Sequence, residues 1–291
     1  MGLLYEKTAE EIKITGYEGN IRHLSISPEI DGCPVRKIGK NAFSGRDDLV
    51  SVQLPENIDT LGRYAFYNCR NLKQLRLYDG VEDYYDGVIK QCQQLSEIIL
   101  VQRRGDYSVM KEMLADNDRM LTFIVEPIGL HLTFPAYVYD FVEDVEARVL
   151  HHKIEGSGYP YRECVTRKGV DILTYDRLFQ KVIADDYPAA IRIARNRLMY
   201  PVELEKKFQE EYEQYLEQNG HIVLGELIRG GDTQAVDYLC ENCLIQKEVL
   251  ENALYLAADE KQSEITAVLM EYQREHFTGK APVQTLSLED W

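Results

Sequence analysis

The sequence predicts an α+β chain, with an N-terminal β-solenoid of about five rungs followed by an all-α, helical-repeat-like domain. Three observations carry this reading. Apolar positions hold one 23-residue register between residues 38 and 100, and a fixed period of this size marks stacked supersecondary units. Each unit ends in an apolar-x-x-apolar-x-apolar run, as a strand buried on one face does. After Val125 the register stops, and apolar residues recur at helical spacing between Asp, Ser, Asn and Gly boundary residues.

Taken in order, Ile38-Gly39-Lys40-Asn41-Ala42-Phe43 returns 23 residues on as Leu61-Gly62-Arg63-Tyr64-Ala65-Phe66. It returns again, at the same interval, as Tyr84-Tyr85-Asp86-Gly87-Val88-Ile89. The same offset carries Leu49 to Leu72 to Leu95, Val52 to Leu75 to Ile98, and Leu54 to Leu77 to Leu100. Ile21/Leu24/Ile26 fits the strand signature upstream and Met120/Phe123/Val125 fits it downstream, so five rungs are expected. Ala42-Phe43 and Ala65-Phe66 open a short helical turn whose phenylalanine fills the layer between rungs. Cys69 and Cys92 hold equivalent positions on successive rungs, where a small buried thiol packs well. Ser108–Asp118 reads as a longer helix near the end of the array. Alternate residues of a strand face opposite ways. If Leu75 and Leu77 point inward, the outward ladder is His23, Ser25, Ser51, Gln53, Gln74, Arg76, Glu97, Ile99, Thr122 and Ile124.

These units resemble the BspA-like leucine-rich repeat family over about residues 10–126. The carrying residues are Ile38-Gly39-x-x-Ala42-Phe43 with Leu49-x-x-Val52-x-Leu54-Pro55, and Leu61-Gly62-x-x-Ala65-Phe66-x-x-Cys69-x-x-Leu72-x-x-Leu75-x-Leu77. The lead-in Ile30-Asp31-Gly32-x-Pro34-Val35 is similar to that family's approach to a first full repeat. The third unit departs by lacking Ala-Phe. The resemblance implies a leucine-rich-repeat solenoid, and members of the family include secreted or surface adhesins.

Beyond the repeats, Glu126-Pro127-Ile128-Gly129 is a turn, and Pro135 suits the first turn of a helix over Ala136–Val149. His151 to Asp171 shows no helical period and reads as an ordered loop or short hairpin. Thr174 is placed to cap a helix carrying Leu178, Phe179, Val182 and Ile183, and Asp186 with Pro188 to start the next. Pro201 opens a long charged helix to Gln218, whose Glu210, Glu211, Glu213 and Glu217 form a solvated face. Two helix pairs follow: His221–Ile228 with Asp232-capped Thr233–Cys243, then Lys247–Ala258 with Ser263-capped Glu264–Phe277. These pairs are weakly similar to degenerate ankyrin-type repeats. The predicted boundaries are 1–127 for the repeat domain, 128–277 for the helical domain and 278–291 for a flexible tail ending in Trp291.

The 291 residues suit about two domains, and 45% apolar with 28% charged residues is ordinary globular usage. Lys+Arg 33 against Asp+Glu 49 gives a net charge of −16. That argues against nucleic acid or an anionic membrane as a partner, since phosphate contacts need a cationic surface. Met1–Lys7 lacks the basic stretch and apolar core of a secretory signal, and Glu6 breaks a myristoylation pattern. The six cysteines, Cys33, Cys69, Cys92, Cys164, Cys240 and Cys243, are expected as reduced thiols in a cytoplasmic protein.

Each catalytic candidate is weak. Cys240-Glu241-Asn242-Cys243 is a lone CxxC in a predicted helix, without the second ligand pair of a zinc site or the βαβ setting of a redox site. His151-His152 reads as a polar turn, and Gly156-Ser157-Gly158 lacks a following helix start and the Gly-Lys-Ser/Thr of a phosphate loop. No metal or cofactor is expected. The stretch Tyr159 to Lys168 places two tyrosines and the cations Arg162, Arg167 and Lys168 between the two arrays. It reads first as a brace whose cations neutralise carboxylates. The leading expectation is a non-enzymatic intracellular scaffold that binds a protein or peptide through the ladder. The alternative is a hydrolase or transferase at the junction of Tyr159, Tyr161, Arg162, Cys164 and Arg167, and the third reading is a surface adhesin.

Overall fold

The structure, a computed structural model, describes residues 2–144 and 149–277. The chain divides into two compact units, Met1–Phe208 and Gln209–Trp291. The tail from Thr278 to Trp291 lies outside the described residues.

The first unit opens with a hairpin of β1 (Gly2–Lys7) and β2 (Ile12–Glu18), paired antiparallel. The repeats then supply β3 (His23–Ser25), β4 (Glu29–Ile30), β5 (Cys33–Ile38), β6 (Ser51–Gln53), β7 (Thr60–Leu61), β8 (Gln74–Tyr78), β9 (Asp83–Tyr84) and β10 (Glu97–Val101). Helix α1 (Ser108–Asp116) fills the fourth unit as expected, and β11 (Leu121–Glu126) and β12 (Leu130–Phe134) close the array. Two sheets result. The long one runs β3-β6-β8-β10-β11-β12, its first five strands parallel and β12 antiparallel; the short one runs β1-β2-β5-β7-β9. Five parallel rungs match the number expected from the repeat.

The 23-residue register is visible in the backbone. Left-handed residues recur at Asn41, Tyr64 and Gly87, and again at Gly45, Asn68 and Gln91, 23 apart in each series. Leu24, Val52, Leu75, Ile98 and Phe123 line up across the parallel strands, all of them buried. Burying a side chain of this kind is worth about 1.5–3 kcal/mol. Phe43 and Phe66 stack between rungs, with centroids 5.2 Å apart. The thiols of Cys69 and Cys92 donate to the carbonyls of Phe43 and Phe66, one rung back.

Past β12 the expectations change. In place of the helix expected over 136–149, the described residues form β13 (Val138–Asp144) and β14 (Val149–Glu155), which pair antiparallel, from Val138 opposite Glu155 to Asp144 opposite Val149. The run Val138-Tyr139-Asp140-Phe141-Val142 is rich in aromatic and β-branched residues, and that preference outweighs Pro135 as a helix start. His151 and His152 therefore lie on a strand rather than in a turn. A helix does begin at the glycine-serine-glycine run, α2 (Gly158–Glu163), followed by a small hairpin of β15 (Val165–Thr166) and β16 (Gly169–Val170).

Eight helices follow among the described residues. Helix α3 (Ile172–Arg177) is capped by Asp171, which accepts from the Thr174 amide, so Thr174 lies inside the helix it was expected to cap. Helices α4 (Phe179–Asp185) and α5 (Tyr187–Met199) meet at Asp186, which caps α5 through the Ala189 amide as predicted. The charged helix α6 (Lys206–Gln218) starts five residues after Pro201.

In the second unit, α7 (Gly220–Gly230) pairs with α8 (Thr233–Glu241), and α9 (Lys247–Asp259) with α10 (Ser263–His276). The two hairpins share a frame 30 residues apart. Gly231 and Lys261 are both left-handed; the following amides, Asp232 and Gln262, donate to Leu227 and Ala257. Helix α7 lies against α9 and α8 against α10, burying Ala235 and Leu239 in one hairpin and Ile265 and Leu269 in the other. Asp232 caps α8 as expected, whereas Gln262 rather than Ser263 precedes α10, with no side-chain cap. Cys243 stands beyond the end of α8, exposed and left-handed, outside the helix that was to hold the whole CxxC.

Candidate binding face

Strand register turns the predicted ladder into two rows across the long sheet. The first row is His23, Ser51, Gln74, Glu97, Thr122 and Thr133; the second is Ser25, Gln53, Arg76, Ile99, Ile124 and His131. Leu75 and Leu77 point inward and are buried, so the in-out alternation is as expected.

Within the first row the polar groups satisfy one another. His23 Nδ1 meets Ser51 Oγ at 2.8 Å, and Gln74 Nε2 donates to Glu97 Oε1 at 2.6 Å. In the second row Arg76 is not a lone cation. Its guanidinium grips Glu126 with two bonds, of 3.0 and 2.7 Å, and the arginine holds that carboxylate below its ordinary range. Ser25 and Gln53 stay exposed, while Ile99 and Ile124 are half-buried. Thr122 departs from the prediction: it is 7% exposed.

Thr122 is covered because the first unit's helices close this end of the face. Helix α5 packs on β12, and a buried polar chain joins them. Thr122 Oγ1 meets Thr133 Oγ1 at 2.9 Å, and Asn196 Nδ2 donates to Thr133 Oγ1 at 3.0 Å. The Tyr175 hydroxyl donates to the Thr133 carbonyl and accepts from its amide. Behind them Arg197 and Asp176 form an ion pair at 2.8 Å that is 0% and 1% exposed.

A cleft of about 240 Å3 sits at this closed end, with Glu97, Ile124 and His131 from the sheet and Arg192, Arg195 and Asn196 from α5. Asn196 Oδ1 accepts from Arg195 Nε and Nη2, at 3.1 and 2.9 Å. The His131 ring stacks on Tyr200, with centroids 3.5 Å apart and planes 11° from parallel. Burial, and then the Arg195 charge, lower the His131 pKa from the usual value. Sequence reading missed Glu126, His131, Arg192, Arg195 and Asn196. The Arg192-x-x-Arg195 spacing, which puts both cations on one helix face, was a usable signal. Two larger clefts, of about 600 and 620 Å3, carry mixed charge: Arg22 and Lys73 with Asp47 and Asp48, and Arg70, Lys90 and Arg119 with Asp116 and Asp118.

The alternative junction site is not assembled. Tyr161, Arg162 and Cys164 are buried, whereas Tyr159 and Arg167 are exposed. Arg162 is a brace, but for carbonyls rather than carboxylates. Nε donates to Leu114 and Asn117, Nη1 to Pro135 and Gly158, and Nη2 to Asn117 and Arg119, at 2.6–3.2 Å. The Tyr137 ring lies 4.6 Å from this guanidinium. Burial pushes the Cys164 thiol up to about 12, the wrong direction for a nucleophile. Cys240 is likewise pushed up to about 12. Among the described residues no group of three or more His, Cys, Asp or Glu could hold a metal, and no helix is long and apolar enough to cross a membrane.

Residues 18–119 match the BspA type leucine rich repeat region, in six copies. Among similar solved structures, a leucine-rich repeat protein from Bacteroides ovatus is 21% identical, over 35% of this chain and 30% of its own, with a TM-score of 0.32. One from Bacteroides capillosus is 22% identical, over 33% of this chain and 76% of its own, with a TM-score of 0.30. A leucine rich cell surface protein from Faecalibacterium prausnitzii is 26% identical, over 42% of this chain and 28% of its own, with a TM-score of 0.26. The match thus spans less than a third of the Bacteroides ovatus protein's length. No curated protein matches. The match to the repeat region ends at residue 119, and none of these findings identifies the helices as ankyrin-type.

Proposed function

We propose that the protein is a non-catalytic binding module whose partner, a protein or peptide, lies across the two rows of the long sheet. The observation that carries this is the ladder itself. Solenoids present extended surfaces whose outward residues vary without cost to the core, and here His23–Ser51, Gln74–Glu97 and Arg76–Glu126 are held in fixed pairs. A surface ordered before contact loses little side-chain freedom on binding. The leucine-rich repeat region supports the same reading, because such repeats serve binding. Cysteines that are all free support a cytoplasmic setting, which fractionation of the host cell tests. The shared 30-residue frame of the two helix hairpins supports the ankyrin-type reading of the second unit.

The test is affinity capture with the intact chain, its Ile99→Arg variant and its Arg162→Gln variant. Ile99 sits mid-ladder, so Ile99→Arg should abolish capture with an unchanged circular dichroism spectrum. Arg76→Glu is a poorer probe, since it would set two carboxylates together at Glu126. Capture that survives Ile99→Arg and fails in a folded Arg162→Gln variant overturns this reading and returns the junction to consideration.

A further inference from the structure

We propose that the cleft of about 620 Å3 over the rung turns is a binding site for an acidic sugar, a pyranose that carries a carboxylate beside its hydroxyls. It shares no residue with the ladder, so it goes beyond the binding proposed there. Three layers of the first unit bring cations to this cleft. Arg70 and Lys90 come from successive rungs, joined where the Asn68 amide donates to the Lys90 carbonyl. Arg119 comes from the turn after α1, which Asp116 ties to the rung of Lys90 through the Gly87 and Ile89 amides. Arg70 Nε donates to Asn68 Oδ1 at 3.2 Å, and its two Nη groups make no bond among the described residues. Lys90 Nζ and the Arg119 guanidinium likewise meet no hydrogen-bond or ion-pair partner there. Asn117 adds a fourth donor to the lining. It is 5% exposed, and its Oδ1 accepts from the Arg119 amide at 2.8 Å, while Nδ2 has no partner among the described residues. Leaving a buried donor unmade is costly, and a ligand oxygen in the cleft supplies the missing bond.

The acceptors select the ligand class. Two carboxylates line the cleft, and they differ. Asp116 is spent: Oδ1 accepts from the Gly87 amide, and Oδ2 from the Tyr84 hydroxyl and the Ile89 amide, at 3.0–3.1 Å. The Asp118 carboxylate makes no hydrogen bond among the described residues, and its charge favours the cationic form of the buried Arg162. An open acceptor among open donors suits a ligand that offers hydroxyl hydrogens as well as an anionic group. The same carboxylate repels a phosphate dianion or a polyanion. Gln91, in the same lining, both donates and accepts. Tyr137, backed by Arg162 at 4.6 Å, and Tyr139, 44% exposed, give ring surface for the C–H face of a pyranose. The volume lies within the range of about 300–1,000 Å3 that holds small organic ligands, and it far exceeds what a lone inorganic anion fills.

The experiment titrates the full chain with trigalacturonate by calorimetry at physiological salt, with maltotriose, triglutamate and inorganic phosphate as comparisons. Trigalacturonate should bind best. Lys90→Gln and Arg119→Gln, both at exposed side chains, should each weaken it about tenfold, as loss of a charged contact does. Asn117→Asp keeps an acceptor for the Arg119 amide and removes the donor, so it should weaken binding with an unchanged circular dichroism spectrum. Asp118→Ala separates a sugar from a bare anion. It should weaken trigalacturonate, which loses a hydroxyl acceptor, and strengthen triglutamate and phosphate, which lose a repulsion. Ile99→Arg should leave trigalacturonate binding unchanged, and Lys90→Gln should leave capture through the ladder unchanged, so the two readings fail separately. No binding of trigalacturonate, equal binding in all variants, or any comparison ligand bound as tightly would each overturn the site. Tighter trigalacturonate binding by Asp118→Ala would also overturn it, since the cleft would then act on charge alone.

Discussion

The solenoid and the paired helix hairpins both stack repeated units, but they join neighbours by different means. In the solenoid the backbone itself crosses between rungs. The amides of Asn41 and Phe43 donate to Arg63 and Ala65, and those of Tyr64 and Phe66 donate to Asp86 and Val88. In the second unit the turn bonds stay inside each hairpin, and the hairpins meet through side chains such as Leu239, Ile265 and Leu269. A backbone ladder fixes spacing to the residue, so the sequence must keep its period. Side-chain packing tolerates drift. The 23-residue period is therefore conspicuous in the chain, whereas the 30-residue one emerges only once Gly231 and Lys261 are seen in the same conformation.

The sharpest way to break this comparison is to empty the two cores. Leu75→Ala and Leu239→Ala both delete a buried leucine, a change that costs about 2–5 kcal/mol. Rungs tied by backbone bonds cannot close around the void, whereas helices can slide. Chemical denaturation should place Leu75→Ala near the top of that range and Leu239→Ala near the bottom, and equal losses would remove the distinction. Next comes a pair of positive-φ glycines, one from each region: Gly87 and Gly231. A Cβ on Gly87 would run into the Tyr64 ring of the neighbouring rung, whereas on Gly231 it would meet Gln262 at an ordinary 3.5 Å. Gly87→Ala should cost about 1–3 kcal/mol from overpacking, besides the backbone penalty. Gly231→Ala should cost about 1 kcal/mol, from the backbone penalty alone. Differential melting of the two variants reads this directly.

A smaller effect is expected at the caps. Asp232→Ala removes the oxygen that accepts from the Ala235 amide and should cost about 1 kcal/mol. The equivalent residue of the other hairpin, Gln262, makes no such bond, so Gln262→Ala should leave the melting temperature nearly unchanged. The smallest perturbation is chemical. Iodoacetamide on the native protein should label exposed Cys243 and spare the five other cysteines, four of which are buried. Peptide mapping checks this. Rapid labelling of Cys69 or Cys92 would mean that the rungs open far more readily than their backbone bonds imply.

What the sequence made legible follows the same division. The strand register, the inward set and most of the outward ladder could be read because a solenoid writes each position three times. The β1–β2 hairpin has no second copy to compare with. The β13–β14 hairpin was hidden by Pro135, a local signal that strand-favouring residues overrode. The binding face was half legible for a different reason. Arg76 could be placed on it, but its partner Glu126 lies 50 residues away, and Arg195 reaches the ladder only because α5 returns to β12. Such meetings are set by tertiary packing, which no spacing within one segment encodes.

Arg162 has a bearing on how the molecule comes apart. A stack of rungs, left to itself, opens from its ends like a zipper, because each unit is held by its neighbours alone. Here one guanidinium takes carbonyls from α1, from the 117–119 turn, from Pro135 at the end of β12 and from the first turn of α2. None of these segments can leave without stripping a buried charge of its partners, which costs far more than releasing a rung edge. The terminal rungs thereby lose their independence and belong to a cooperative block that includes α2. Lysine could not keep that block together, since a point charge with three donors cannot fork toward five carbonyls at once.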